Sequence, residues 1–156
     1  MNRKPMLAAN WKMNHGIENS IKFLTEFMRG LPTNQLDVDI VICPPYTSLY
    51  TFSVALQDDE VILLGAQNCH HEDAGAFTGE ISLEFLHELH CDYVIVGHSE
   101  RRQYFFETDE LINKKLLKTF EKDLLPIFCI GESEVEREAG KTFEVLSRQL
   151  QKGLMN

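Results

Sequence analysis

Tyr93-Val94-Ile95-Val96-Gly97 is apolar with almost no alternation, and His98-Ser99-Glu100-Arg101-Arg102 follows it directly. A half-buried strand alternates apolar and polar residues, whereas a strand covered on both faces does not. Residues 93–97 therefore read as a fully buried strand, with a helix start immediately after His98. Four more runs of this kind lie outward from it, at 6–10, 38–43, 61–66 and 124–130. Their first residues are about 23 to 32 positions apart, the length of a repeated strand–helix unit. Strands joined by crossover helices run parallel, with right-handed connections. The pattern gives an α/β protein with a parallel sheet, and leaves an open sheet and a closed barrel as alternatives.

The intervening segments carry helical stripes. One runs from Ile17 through Ile21, Leu24, Phe27 and Met28 and stops at Gly30 and Pro32. A second comprises Ile81, Phe85, Leu86 and Leu89, and a third Leu111, Ile112, Leu116 and Phe120. In the third, Thr108 is placed to cap, Asp109 and Glu110 occupy the first turn, and Lys114, Lys115, Lys118 and Lys122 come later, an order that complements the helix dipole. Ser133-x-x-Glu136 has the form of a capping box. Gly140 then interrupts, Thr142 is expected to cap a further stretch, and Gly153 to end it.

Composition excludes several functions. The chain has 156 residues, 15 Lys+Arg against 24 Asp+Glu, and a formal charge of −9. A nucleic-acid binder carries the opposite surplus, so no nucleic-acid partner is expected. The basic opening Met1-Asn2-Arg3-Lys4-Pro5 leads only to the apolar Met6-Leu7-Ala8-Ala9, too short for a signal peptide or a membrane span. Cys43, Cys69, Cys91 and Cys129 form no C-x-x-C pair and read as reduced thiols of a cytoplasmic protein.

Other motifs carry little. Gly140-Lys141-Thr142 lacks the earlier glycine of a P-loop, because position 135 is Val, and no G-x-G-x-x-G occurs. Cys69-His70-His71-Glu72-Asp73 and His87-x-x-His90-Cys91 are poor metal sites: neighbours on an extended loop diverge, and histidines near a helix C-terminus suit its dipole. No metal or cofactor is expected. The charged run Glu134, Glu136, Arg137 and Glu138 reads as a solvated helix face, and the five Phe and Tyr residues between 93 and 120 as packing.

Functional groups of parallel α/β proteins sit at the carboxyl ends of strands. That rule selects Asn10-Trp11-Lys12-Met13-Asn14, Gln67-Asn68-Cys69, the segment 97–102, and Gly131-Glu132-Ser133. Lys12 is a cation just past a buried strand. His98 stands where free N–H groups of a helix start favour a neutral imidazole, able to donate a proton or polarise a carbonyl. A lysine nearby could stabilise an anionic substrate or an enediolate.

At these residues the chain resembles the triosephosphate isomerase family. Ala9-Asn10-Trp11-Lys12-Met13-Asn14 is similar to that family's first active-site segment and Val96-Gly97-His98-Ser99-Glu100-Arg101-Arg102 to its second. Gly65-Ala66-Gln67-Asn68 with Gly75-Ala76-Phe77-Thr78-Gly79-Glu80 resembles its dimer-interface loop, and Cys129-Ile130-Gly131-Glu132 with residues 137–142 its segment after strand five. The resemblance implies a (β/α)8 TIM barrel, and interconversion of dihydroxyacetone phosphate and D-glyceraldehyde 3-phosphate without a cofactor. It implies that Asn10 and Lys12 contact substrate, that His98 is the neutral electrophile and proton shuttle, and that Ser99 and Glu100 support them, Glu100 beside Lys12. Thr78, flanked by Phe77 and Glu80, would reach toward Lys12 of a second subunit in a homodimer. Arg101 would tie loops, and Cys129 would lie behind the base.

The resemblance also sets a limit. The family barrel has eight units and about 250 residues, against five strands counted here. Residues 1–156 are accordingly expected to be the N-terminal part of one barrel domain, without strands six to eight. The family's catalytic carboxylate at the end of strand six, its mobile lid and its glycine-rich phosphate loops have no counterpart in the chain. The alternative is a non-catalytic partial barrel with two open sheet edges; a different phosphosugar enzyme on the same barrel is a third reading.

Overall fold

The computed structural model describes residues 4–32, 37–57, 59 and 61–155; the opening Met1-Asn2-Arg3 and Asn156 lie outside them. Five strands follow one another in sequence order as β1-β2-β3-β4-β5. They group into two compact units: residues 1–67 with 84–94, and residues 68–83 with 95–156.

The first unit contains β1 (Met6–Asn10), α1 (Ile17–Gly30), β2 (Asp39–Cys43), α2 (Tyr46–Ala55), β3 (Ile62–Ala66), most of α3 (Leu83–Glu88) and the first half of β4 (Tyr93–Val96). Neighbouring strands are parallel, with Met6 opposite Asp39, Ile40 opposite Ile62, and Gly65 opposite Tyr93. The core is apolar: Val41, Ile42, Leu49, Phe52, Ile62 and Leu64 are all buried. Between α1 and α2, Ser20 Oγ and Ser48 Oγ lie 3.1 Å apart, both buried, so each hydroxyl is satisfied internally. Gly65 is required by close approach, since a Cβ there would stand 2.5 Å from Cys43 Sγ.

The second unit holds the rest of β4, α4 (Ser99–Tyr104), α5 (Asp109–Glu121), β5 (Leu125–Phe128), α6 (Glu134–Glu138) and α7 (Thr142–Gly153). Cys129 N–H donates to Val96 O at 2.9 Å, binding the chain after β5 to β4. Ile112, Leu116, Leu124 and Val145 form the core. Thr108 caps α5 by accepting from Leu111 N–H, and Ser133 and Glu136 form the expected capping box. Helix α7 begins at Thr142 and ends at Gly153, but Lys141 rather than Thr142 is its N-cap, without a side-chain bond. The Thr142 hydroxyl instead donates to Glu132 Oε1 at 3.2 Å.

Two expectations are corrected. Not every apolar run is buried on both faces. β2, β3 and β4 are almost wholly buried, yet Leu7 in β1 is 64% exposed and Leu125 in β5 is 52% exposed. These strands stand at the two ends of the order, each with a ladder on one side among the described residues. Nor do the aromatics between 93 and 120 mainly pack. Tyr93 is buried, but Tyr104 at the end of α4, Phe105 and Phe106 just after it, and Phe120 on α5 are exposed.

Candidate active site

In the first unit the chain leaves β1 through a tight, strained turn. Lys12 adopts φ 54°, a left-handed conformation that costs a residue with a Cβ about 1 kcal/mol or more. Local bonds hold it there. Asn10 Oδ1 accepts from Lys12 N–H at 3.0 Å, and Gln67 Nε2 donates to both Lys12 O (2.9 Å) and Cys43 O (3.0 Å). Asn14 Nδ2 adds a bond to Trp11 O. Asn10 and Lys12 are therefore brought together, and Gln67, named in the sequence only by its position after β3, is the clamp that fixes the lysine backbone. Trp11 packs edge-on against Phe23 and Phe52, anchoring the same turn.

In the second unit Gly97 takes φ +74° and turns the chain out of β4. His98 follows as the N-cap of α4, where its Nδ1 accepts from Glu100 N–H at 3.2 Å. A ring nitrogen that accepts carries no proton, so the single proton of the neutral ring sits on Nε2. His98 is mostly buried, and Glu100 Oε2 lies 3.5 Å from its Nδ1. A cavity of about 250 Å³ opens beside the ring, lined by Gly97, Ser99, Cys129, Gly131 and Glu132 among others. Burial raises the Cys129 thiol, only partly offset by Arg102. Glu132 is engaged by Thr142 Oγ1 and by Arg137 at 3.7 Å, so it is not a spare base.

An ion cluster that the sequence did not disclose lies next to this segment. Glu107 Oε1 accepts from Arg101 Nε at 2.6 Å and from Lys115 Nζ at 2.5 Å, and Lys115 Nζ also donates to Asn68 Oδ1 at 2.8 Å. Glu107 and Lys115 are each 3% exposed at the side chain. Burial pushes the Glu107 carboxyl up, but the hydrogen bonds from Lys115 and Arg101 outweigh it and leave it below its ordinary value. Arg101 bonds Glu107, six residues further along the same segment. Cys69, beside Lys115 and Thr119, is pushed up to about 11 by burial.

The loop 68–83 belongs to the same unit. His70 N–H donates to Ile81 O, closing its base, and Asp73 is held by Lys118 at 2.8 Å and Lys122 at 3.3 Å. Its tip presents Phe77, Thr78 and Glu80 to solvent, with the Phe77 ring 4.4 Å from His70. Among the described residues no three His, Cys, Asp or Glu side chains gather closely enough to hold a metal ion. Among those residues, too, no helix is long and apolar enough to cross a membrane.

Parallel strands in sequence order, linked by helices, with a lysine after the first and an N-capping histidine after the fourth, define an α/β fold of repeated strand–helix units, the class in which functional groups stand at the carboxyl ends of strands. The comparisons narrow that class. A family profile described as triosephosphate isomerase matches residues 5–156. The triosephosphate isomerase of Dictyoglomus turgidum is 53% identical over 152 residues, covering 97% of this chain and 60% of that protein. That of Alkaliphilus metalliredigens is 51% identical over 148 residues, covering 95% and 58%. The crystal structure of triosephosphate isomerase from Bartonella henselae superposes with a TM-score of 0.90 at 38% identity, covering 99% of this chain and 63% of that one. The chain belongs to the triosephosphate isomerase family, and spans about three-fifths of the length of these relatives.

Proposed function

We propose that residues 1–156 form the N-terminal part of a single barrel domain that interconverts dihydroxyacetone phosphate and D-glyceraldehyde 3-phosphate through an enediolate. His98 donates from Nε2 to the substrate oxygens and shuttles protons between them. Lys12, with Asn10, binds substrate and offsets the negative charge that develops on those oxygens. Ser99 and Glu100 support the histidine segment. The carboxylate that abstracts the carbon-bound proton comes from outside these residues. Thr78, Phe77 and Glu80 meet a second copy in a homodimer, and the protein works in the cytoplasm without a cofactor.

The observation that carries this reading is the His98 Nδ1 bond from Glu100 N–H. It leaves the ring proton on Nε2, free to be donated to a substrate oxygen while Nδ1 is occupied by the backbone. The test is a chimera joining this chain to the part of the Dictyoglomus turgidum relative that the match does not cover, assayed in both directions. The chimera is expected to turn over, and His98→Gln and Lys12→Ala are each expected to lower kcat/KM by about 10²-fold or more. An unchanged kcat/KM in both variants refutes the assignment. Turnover by the 156-residue chain alone excludes the partial-barrel alternative and also removes the need for an outside base.

A further inference from the structure

We infer that Arg102 is the positioning residue for His98, resting on the proposed role of that histidine. One guanidinium makes three separate bonds: Nε to Gly97 O at 2.8 Å, Nη1 to Asp109 Oδ1 at 2.6 Å, and Nη2 to Cys129 O at 3.3 Å. It therefore joins the peptide entering His98, the carbonyl just past β5 and the N-terminal turn of α5. Arg102 and Asp109 are 15% and 11% exposed at their side chains. Asp109 is steadied in turn by Arg148, whose Nε lies 3.5 Å from Oδ2.

The need for such a clamp follows from Gly97. A Cβ at that position would lie 3.2 Å from both Arg102 Nη2 and Cys129 O, and φ is +74°. Glycine is thus required, and it brings conformational freedom to the residue immediately before the histidine. The Gly97 carbonyl and the His98 nitrogen belong to one rigid peptide plane. Holding that carbonyl on the guanidinium holds the direction in which the His98 Cα and imidazole leave the chain. The bond from Glu100 N–H to His98 Nδ1 is long, at 3.2 Å, so a small rotation of this plane breaks it. A lysine cannot substitute, because a single ammonium does not span three acceptors in a planar fork.

The tautomer of His98 reads this directly and requires no turnover. The ring ¹⁵N shifts of the histidine-labelled chain are measured at pH 8, with His98 identified by its loss in His98→Gln. The wild-type ring is expected as the Nε2–H form. In Arg102→Ala and Arg102→Lys the ratio of Nδ1–H to Nε2–H is expected to rise roughly 3- to 10-fold, the loss of one neutral hydrogen bond. Guanidinium at tens of millimolar is expected to restore Arg102→Ala, and equimolar sodium chloride is not. If both variants lose thermal stability while the His98 shifts stay as in the wild type, Arg102 is only structural and the inference fails. Should Arg102→Ala not fold, Asp109→Asn removes the anchor of the guanidinium instead; a smaller shift the same way supports the inference and unaltered signals overturn it. A changed tautomer in Arg102→Ala, together with a chimera that never turns over, leaves this inference intact and defeats the proposed function.

Discussion

Lys115→Met is a severe test of the ion cluster at Glu107. Methionine keeps the length and most of the volume of lysine but removes the ammonium. The variant leaves Glu107, 3% exposed at the side chain, with Arg101 alone, and takes a donor from Asn68 Oδ1. Glu107 Oε2 is already buried without a hydrogen-bond donor among the described residues, so the carboxylate is stabilised through one oxygen only. Breaking a buried pair by removing one ion costs about 3–5 kcal/mol. Because Arg101 stays on the same oxygen, the low end applies, about 3 kcal/mol. At about 2–4 °C per kcal/mol for a chain of this size, Tm is expected to fall by about 6–12 °C. Adding Glu107→Gln removes the stranded charge, and the double variant is expected to recover at least half of the loss. The sign with pH is fixed as well. The wild-type Glu107 carboxyl lies below its ordinary 4.5, so its stabilisation is present above about pH 4.5 and is lost as pH falls through the folded value. In Lys115→Met the carboxyl loses the Lys115 bond and charge that lower it and keeps those of Arg101, so it shifts up relative to wild type, and the gap between wild type and variant is widest near pH 7 and closes in acid. Thermal unfolding at pH 7 and pH 4 measures both effects. A Tm shift below about 3 °C at pH 7, or a gap that widens in acid, refutes the cluster as a stabilising charge pair.

Phe106 sits at φ 55° with 81% of its surface exposed, so Phe106→Gly relieves left-handed strain and loses little burial. The net gain after the entropy of glycine is about 1 kcal/mol, seen as a Tm rise of about 2–4 °C; a lower Tm contradicts it. Gly65→Ala forces a Cβ to 2.5 Å from Cys43 Sγ and 3.0 Å from Val41 Cγ1, an overpacking worth about 1–3 kcal/mol. Adding Cys43→Ala is expected to restore part of the loss in urea unfolding, and a double variant no better than the single one refutes the clash. Burial pushes the Cys69 and Cys91 thiols to about 11 and about 12, and Cys43 is fully buried. Native labelling with a disulfide reagent at pH 8 is therefore expected to modify Cys129 first and the other three only on unfolding; rapid labelling of Cys69 or Cys91 counts against it.

What the sequence disclosed and what it withheld follow one physical division. Val94, Ile95 and Val96 are legible as a strand because burial on both faces demands apolar residues at every position. The caps at Thr108 and Ser133 are legible because they satisfy donors two or three residues away. Lys12 and His98 are legible as candidate site residues because they stand just past the ends of β1 and β4 in a parallel fold. Properties set by partners distant along the chain were not legible. Leu7 has the composition of a core residue, but its exposure depends on how many strands lie beside β1. Helix α2 carries no legible stripe, since Tyr50 and Val54 are apolar and exposed while Ser48 is polar and buried, so hydrophobicity shows no 3.6-residue period there. Glu107 and Lys115 each read as an ordinary charged surface residue. They become a buried pair only because α5 carries the lysine back past the turn that holds the glutamate. The same holds for Arg102, whose three acceptors come from the end of β4, the start of α5 and the end of β5. Local rules therefore suffice to place the candidate reactive groups at strand ends, while the side chains packed around them are assembled by tertiary packing and emerge only with the fold.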